Sequence, residues 1–198
     1  IMAGRRSLRK LQFYQEVTPG TTSAATYVFR GIGTILDNIK VDRVSEDIGI
    51  IGGTTRTNVP MKGSTLALSQ TPATLEGILH ILEMCIKTAT PVQDCTGSQP
   101  YIFTYAFPAT SGNTIKTYSI ESGDDNEAER MAYCFGKDFT LSGNGRTAYQ
   151  LQANIQGRAP ALTSFTGALS LAAVNNMNFG MTKIYQDSIG GTIGTTIK

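Results

Sequence analysis

Tryptophan is absent from the 198 residues, and His80 is the only histidine. Any mechanism that needs two histidines is excluded, including most zinc hydrolases. Charge is also scarce: 16% of residues are charged, against about 25% in an average globular domain. The net charge of +2 argues against bulk electrostatic binding of nucleic acid, which usually comes with a concentrated basic face. No apolar run reaches the 18 or so residues of a membrane-crossing helix. The basic N-terminus is not followed by an apolar stretch, so no secretory signal is expected. Cysteine is limited to Cys85, Cys95 and Cys134, at spacings that match no metal motif. They read as buried free thiols in a reducing compartment, with a Cys85–Cys95 disulfide as the alternative.

What is abundant is glycine, 21 residues, well above the average usage of about 7%. With 40% hydrophobic residues, the chain reads as a turn-rich β protein whose polar surface is mostly uncharged. Its length fits one domain, or one domain and part of another.

The clearest pattern is period two. Tyr149, Leu151, Ala153 and Ile155 alternate with Gln150, Gln152, Asn154 and Gln156, which predicts a strand with one buried face. Met131, Tyr133 and Phe135 alternate ahead of it, and Gly143-Asn144-Gly145 supplies a turn. A hairpin over 130–157 is therefore expected. Other strands are expected at 11–17, 35–44, 63–69, 101–107, 115–120 and near 181–185. One helix is expected. Thr71 would cap it, Pro72 would take its first position, and Leu75, Ile78, Leu79, Leu82, Cys85 and Ile86 would form its apolar stripe. Pro91 stops it.

The polar face of the 149–156 strand carries amides, not Lys and Glu. A solvated face normally carries charge; Gln150, Gln152, Asn154 and Gln156 suit a face that touches another subunit or lines a confined volume. Residues 45–60 are too glycine-rich for a central strand and too apolar for a solvated loop. Ile48, Ile50 and Ile51 there point to a surface buried against another molecule. Arg5, Arg6 and Arg9 read as a solvated N-terminal arm or as one that pairs with an acidic neighbour. Glu121, Asp124, Asp125, Glu127 and Glu129 form an acidic loop that meets basic residues of a neighbour, or faces DNA without adhering to it.

No catalytic constellation emerges. Gly49–Gly53 lacks the Lys-Ser/Thr ending of a phosphate loop. No serine sits in a Gly-x-Ser-x-Gly elbow. The acidic loop lacks the spacing of a calcium-binding helix-loop-helix. Neither an enzyme nor a cofactor or metal site is expected, and His80 reads as a partly buried helix residue.

The order of elements carries a resemblance. Gly63-Ser64-Thr65-Leu66 leads into Thr71-Pro72-Ala73-Thr74-Leu75-Glu76-Gly77-Ile78-Leu79, then Tyr118-Ser119-Ile120-Glu121-Ser122-Gly123-Asp124-Asp125. Phe135-Gly136-Lys137-Asp138-Phe139-Thr140-Leu141-Ser142-Gly143 and Gln156-Gly157-Arg158 follow. Over 31–158 the chain resembles the tail tube proteins of long-tailed bacteriophages. The resemblance implies a mainly β fold: an antiparallel sandwich or barrel-like tail tube domain at 31–160, with a flanking helix and a long β-hairpin loop. An N-terminal arm at 1–30 precedes it, and 161–198 would be an extension or the start of a second domain. It further implies rings, usually sixfold, stacked into a hollow tube that passes DNA at ejection. Other partners would be the tape measure, terminator and baseplate or tip proteins, with no membrane, in a virion tail. The alternatives are the inner tube of a contractile injection device, a capsid decoration protein, and a monomeric ligand-binding β-sandwich.

Overall fold

The computed structural model describes residues 6–49, 51, 56–94, 101–106 and 110–185. Cys95, Phe107 and residues 186–198 lie outside them. The fold is mainly β and antiparallel, with one α-helix among the described residues. In chain order the strands are β1 (Lys10–Gln15), β2 (Tyr27–Val28), β3 (Gly33–Asp37), β4 (Lys40–Val44), β5 (Arg56–Met61) and β6 (Ser64–Pro72). Helix α1 (Leu75–Cys85) follows. Then come β7 (Val92–Gln93), β8 (Tyr101–Ile102), β9 (Tyr118–Gly123), β10 (Ala128–Ser142), β11 (Gln150–Gly157) and β12 (Ala161–Thr163).

The main sheet has the order β2-β1-β9-β10-β11-β6-β3, with β12 added to β10. β10 organises it. Fifteen residues extend about 50 Å, too long to stay in one flat sheet. Register breaks between Met131 and Cys134 and between Gly136 and Asp138 bend the strand. Its first half pairs with β9 and its second half with β11. The curl brings β3 back beside β9, where Ser122 Oγ donates to Gly33 O at 3.2 Å. The result is barrel-like, and most strand edges are hidden.

Inside sit Leu11 and Phe13 of β1, Ile35 of β3, Leu66 and Leu68 of β6, Tyr118 and Ile120 of β9, and Leu151, Ala153 and Ile155 of β11. The expected hairpin at 130–157 is present. The expected strand at 35–44 is two strands. At Asn38 the chain turns away: its N–H donates to Gly63 O at 2.9 Å and its side chain to Thr65 Oγ1 at 3.1 Å. Among the described residues of the expected 101–107 strand, only Tyr101–Ile102 is regular. It pairs with β7 alone, so its aromatic alternation has no sheet to face, and Tyr101 and Phe103 are exposed. Near 181–185 there is a 3-10 turn, Phe179–Met181, instead of a strand.

The helix differs from its sequence reading in cap and face. Pairing of Thr71 with Leu151 and of Pro72 with Gln150 prolongs β6, so the cap moves to Thr74, whose Oγ1 accepts from Gly77 N at 3.1 Å. The buried face is Gly77, Ile78, Ile81 and Met84, and Leu75 is exposed. Glu76, His80 and Glu83 line one stripe of the helix, but the apolar arc left is wider than the buried face, and packing on β10 chooses within it. The helix ends at Cys85, well before Pro91.

Cys85 and Cys134 are free thiols. Burial, and then the charge of Asp138, push the Cys85 thiol up to about 11. Cys85 lies directly over Gly136, where an added Cβ falls well inside contact distance of its sulfur. Gly136→Ala is therefore expected to cost about 1–3 kcal/mol by overpacking, or several degrees in Tm. Cys85→Ala in the same chain should recover most of that loss. Thermal melts of the single and double variants check this, and a double variant no better than Gly136→Ala refutes the contact.

Residues 161–182 form a strap on the same core. β12 pairs with the start of β10, Thr166 reaches Gln12 and Ala25, and Arg30 donates to Ala172 O at 2.8 Å. Asn175 donates to both oxygens of Glu76, and Met177 bonds Ala73 and Tyr149 through its backbone.

Candidate assembly interface

β4 and β5 form a two-stranded arm outside the main sheet. Neither strand has a buried residue. Val41, Ile48, Ile51, Val59 and Met61 are all exposed. Two ion pairs brace the arm, Lys40–Asp42 at 3.6 Å and Arg56–Glu46 at 2.9 Å, but surface pairs are worth at most about 1 kcal/mol. A lone hairpin is marginal in water, and several large apolar side chains left exposed on one such arm point to a contact with another molecule. Ile50 lies outside the described residues, as does Arg5.

The amide strand is β11. Leu151, Ala153 and Ile155 enter the core, and Gln150, Gln152, Asn154 and Gln156 face outward, with Gln152 the most open. Asn154 donates to Asp138 Oδ1 at 2.6 Å, and Gln150 to Ala148 O at 3.3 Å. Register extends this face across Thr140 and Ser142 on β10, Thr65 and Ala67 on β6, and Thr34 and Leu36 on β3. Of these residues Asp138 alone is charged. The sheet thus presents a broad, nearly uncharged polar face beside the root of the arm.

The acidic segment divides in two. Asp124 shapes the β9–β10 turn by accepting from Asn126 N at 3.0 Å and Glu127 N at 3.2 Å. Asp125 and Glu127 are exposed on it. Glu121 is not on the surface: it is 1% exposed, which removes it from the expected contact set. Its register opposite Gln12 and Arg130 places it under the strap. There it accepts from Arg130 Nε and Nη2 and from Thr166 N at 2.9 Å. Of the N-terminal arginines, Arg6 opens the 3-10 turn Arg6–Leu8. Arg9 is exposed and lines a cleft of about 190 Å³ with Asp124, Glu127 and Glu129 of its own chain. Within that cleft, burial and then the charges of Glu127 and Asp37 push the Glu129 carboxyl up.

Two polar clusters escaped the sequence reading. Beside α1, Tyr118 donates to Glu83 Oε2 at 2.6 Å, Gln15 donates to the same oxygen at 2.8 Å, and His80 Nδ1 lies 3.0 Å from the Tyr118 hydroxyl. With the Tyr118 proton committed to Glu83, the imidazole donates through Nδ1. Burial holds His80 below its ordinary range despite Glu83. These groups line a cleft of about 370 Å³ with Phe13, Leu79 and Phe103. The second cluster centres on Glu16, 2% exposed. Its carboxylate accepts from Gly20 N at 2.6 Å, Thr117 Oγ1 at 2.7 Å, Ser119 Oγ at 2.8 Å and Tyr133 N at 2.9 Å. The one local signal was an acid at a strand end just before Pro19-Gly20; its partners on β9 and β10 are remote in sequence.

No family model and no curated protein matches this chain. Among the described residues, no helix is long and apolar enough to cross a membrane.

Proposed function

We propose that this chain is a structural subunit that assembles with copies of itself into stacked rings, making the hollow tail tube of a long-tailed bacteriophage. The observation that carries the reading is the arm, two paired strands with no buried residue and an apolar surface. Burying that surface against a neighbouring copy offsets the cost of ordering a hairpin. The uncharged face around β11 fits a subunit contact or a conduit wall, because DNA is held chiefly through its phosphates by Lys and Arg. Tape measure, terminator and tip proteins would be its partners at the tube ends, and DNA would pass without specific binding.

Negative-stain electron microscopy of the purified chain across a concentration series tests this. Hollow, regularly striated tubes are expected. Ile48→Asp with Ile51→Asp should abolish them and leave the circular dichroism spectrum of the β core unchanged. Tubes of normal length from that variant rule out the arm as an assembly element. A second reading, a monomeric ligand-binding domain, is favoured by the cleft beside His80 with Phe103 at its wall. It requires monomers at every concentration.

A further inference from the structure

Tyr133 has a φ of 56°, in the left-handed region that a non-glycine residue rarely adopts. Strain of this kind persists only where the surroundings over-determine it. Here Glu16 does so: Oε1 accepts the Tyr133 N–H, and Oε2 accepts the N–H of Gly20, itself at φ +82°. The guanidinium of Arg158 lies against both Tyr133 and Gly20. Arg158 Cζ lies 5.0 Å from the centre of the Tyr133 ring. A Cβ on Gly20 would sit 2.7 Å from Arg158 Nη1. The Arg158 backbone is also fixed: its N–H donates to Ala132 O at 2.9 Å, and its carbonyl accepts from Ser64 Oγ at 2.5 Å.

A buried carboxylate thus shapes a seat for an arginine at the surface. Both Tyr133 and Arg158 are exposed. Among the described residues the guanidinium makes no hydrogen bond and no ion pair, although the residue is exposed. Tyrosine and arginine, with tryptophan, are enriched among the residues that carry interface binding energy. A guanidinium already held against a ring loses little entropy when it takes a carboxylate in its fork.

The chain itself carries the complementary group, the turn 124–127 with exposed Asp125 and Glu127. Tyr133 lies about 17 Å along β10 from the start of that strand, so turn and seat of one copy do not meet. We propose that Arg158, seated on Tyr133, docks the acidic turn 124–127 of a second copy of this chain. Because the two surfaces differ, the contact is head-to-tail, and its repetition closes a ring or extends a filament. This rests on the self-assembly reading and names the surfaces that meet.

The test is charge reversal, with assembly onset read by light scattering and electron microscopy. Arg158→Glu alone, and Asp125→Lys with Glu127→Lys alone, should each raise the onset concentration about tenfold or more, because like charges then face each other. All three substitutions together restore opposite charges and should return the onset to near the wild-type value. A merely structural Arg158 gives no such restoration. If Arg158→Glu fails to fold by circular dichroism, the turn variant decides alone, and an unchanged onset overturns the contact. Wild-type protein that stays monomeric at every concentration overturns both this contact and the self-assembly reading. Wild-type tubes with unshifted variants, or no recovery in the triple variant, overturn this contact alone.

Discussion

Glu16→Gln is expected to lower stability at neutral pH by about 2–4 kcal/mol, or near 10 °C in Tm for a chain of this size. The side chains are nearly isosteric, so no cavity forms. What changes is the acceptor count. Each carboxylate oxygen takes one backbone N–H and one hydroxyl: Tyr133 and Ser119 on Oε1, Gly20 and Thr117 on Oε2. The hydroxyls can rotate and accept. The backbone N–H groups cannot. Whichever way the amide is turned, its NH₂ points at one buried N–H, which then has no acceptor.

The same substitution has a pH signature. Burial by itself would push the Glu16 carboxyl up, but the hydrogen bonds from Tyr133, Gly20, Thr117 and Ser119 outweigh it and hold the carboxyl below its ordinary value of 4.5. A depressed carboxyl stabilises the fold above its unfolded pKa, and that stabilisation is lost as pH falls through the folded value. The deficit of Glu16→Gln should therefore be full at pH 7 and shrink below about pH 4.5. Melting curves of both proteins at pH 7, 5 and 3 decide it. A deficit that stays constant across this range refutes the role of the ionised carboxylate.

Glu16 also shows where sequence reading stops. β11 was legible because one of its faces is wholly in the core, so apolar and amide residues alternate without interruption through Ile155. The hairpin it forms with β10 followed from that alternation and the Gly143-Asn144-Gly145 turn. β10 itself was misread in detail. Met131, Tyr133 and Phe135 alternate in the bare chain as if on one face, but the register break after Met131 buries Cys134 and turns Tyr133 outward. Its cause is a carboxylate on a segment far back in the chain, and no local pattern encodes that. The arm was legible as an anomaly, an apolar glycine-rich segment, yet its strand β5 was not, because Arg56–Met61 has no buried face to impose a period. Glu121 was grouped with its acidic neighbours, since nothing nearby announces that Arg130 and Thr166 will enclose it.

That enclosure carries the second large effect. Glu121→Ala is expected to cost about 3–5 kcal/mol, the range for removing one partner of a buried ion pair. Arg130 loses both of its contacts to Oε1 while its side chain is only 25% exposed, and Thr166 N–H loses its acceptor. The damage should also spread along the strap. Thr166 is where the strap is tied to the sheet: its carbonyl accepts from Gln12 Nε2 at 3.3 Å, and its Oγ1 accepts from Ala25 N at 2.9 Å. Without Glu121, amide exchange at Thr166 should accelerate, and proteolysis should cut near 166–172 before the core is attacked. Replacing both charges, Glu121→Leu with Arg130→Met, should be less harmful than Glu121→Ala alone, because no unpaired charge is left under the strap. Denaturant melts with residue-resolved exchange separate the outcomes. A Glu121→Ala loss below about 1 kcal/mol, inside the range of a surface pair, with unchanged exchange at Thr166, means that apolar packing and backbone bonds hold the strap without the ion pair.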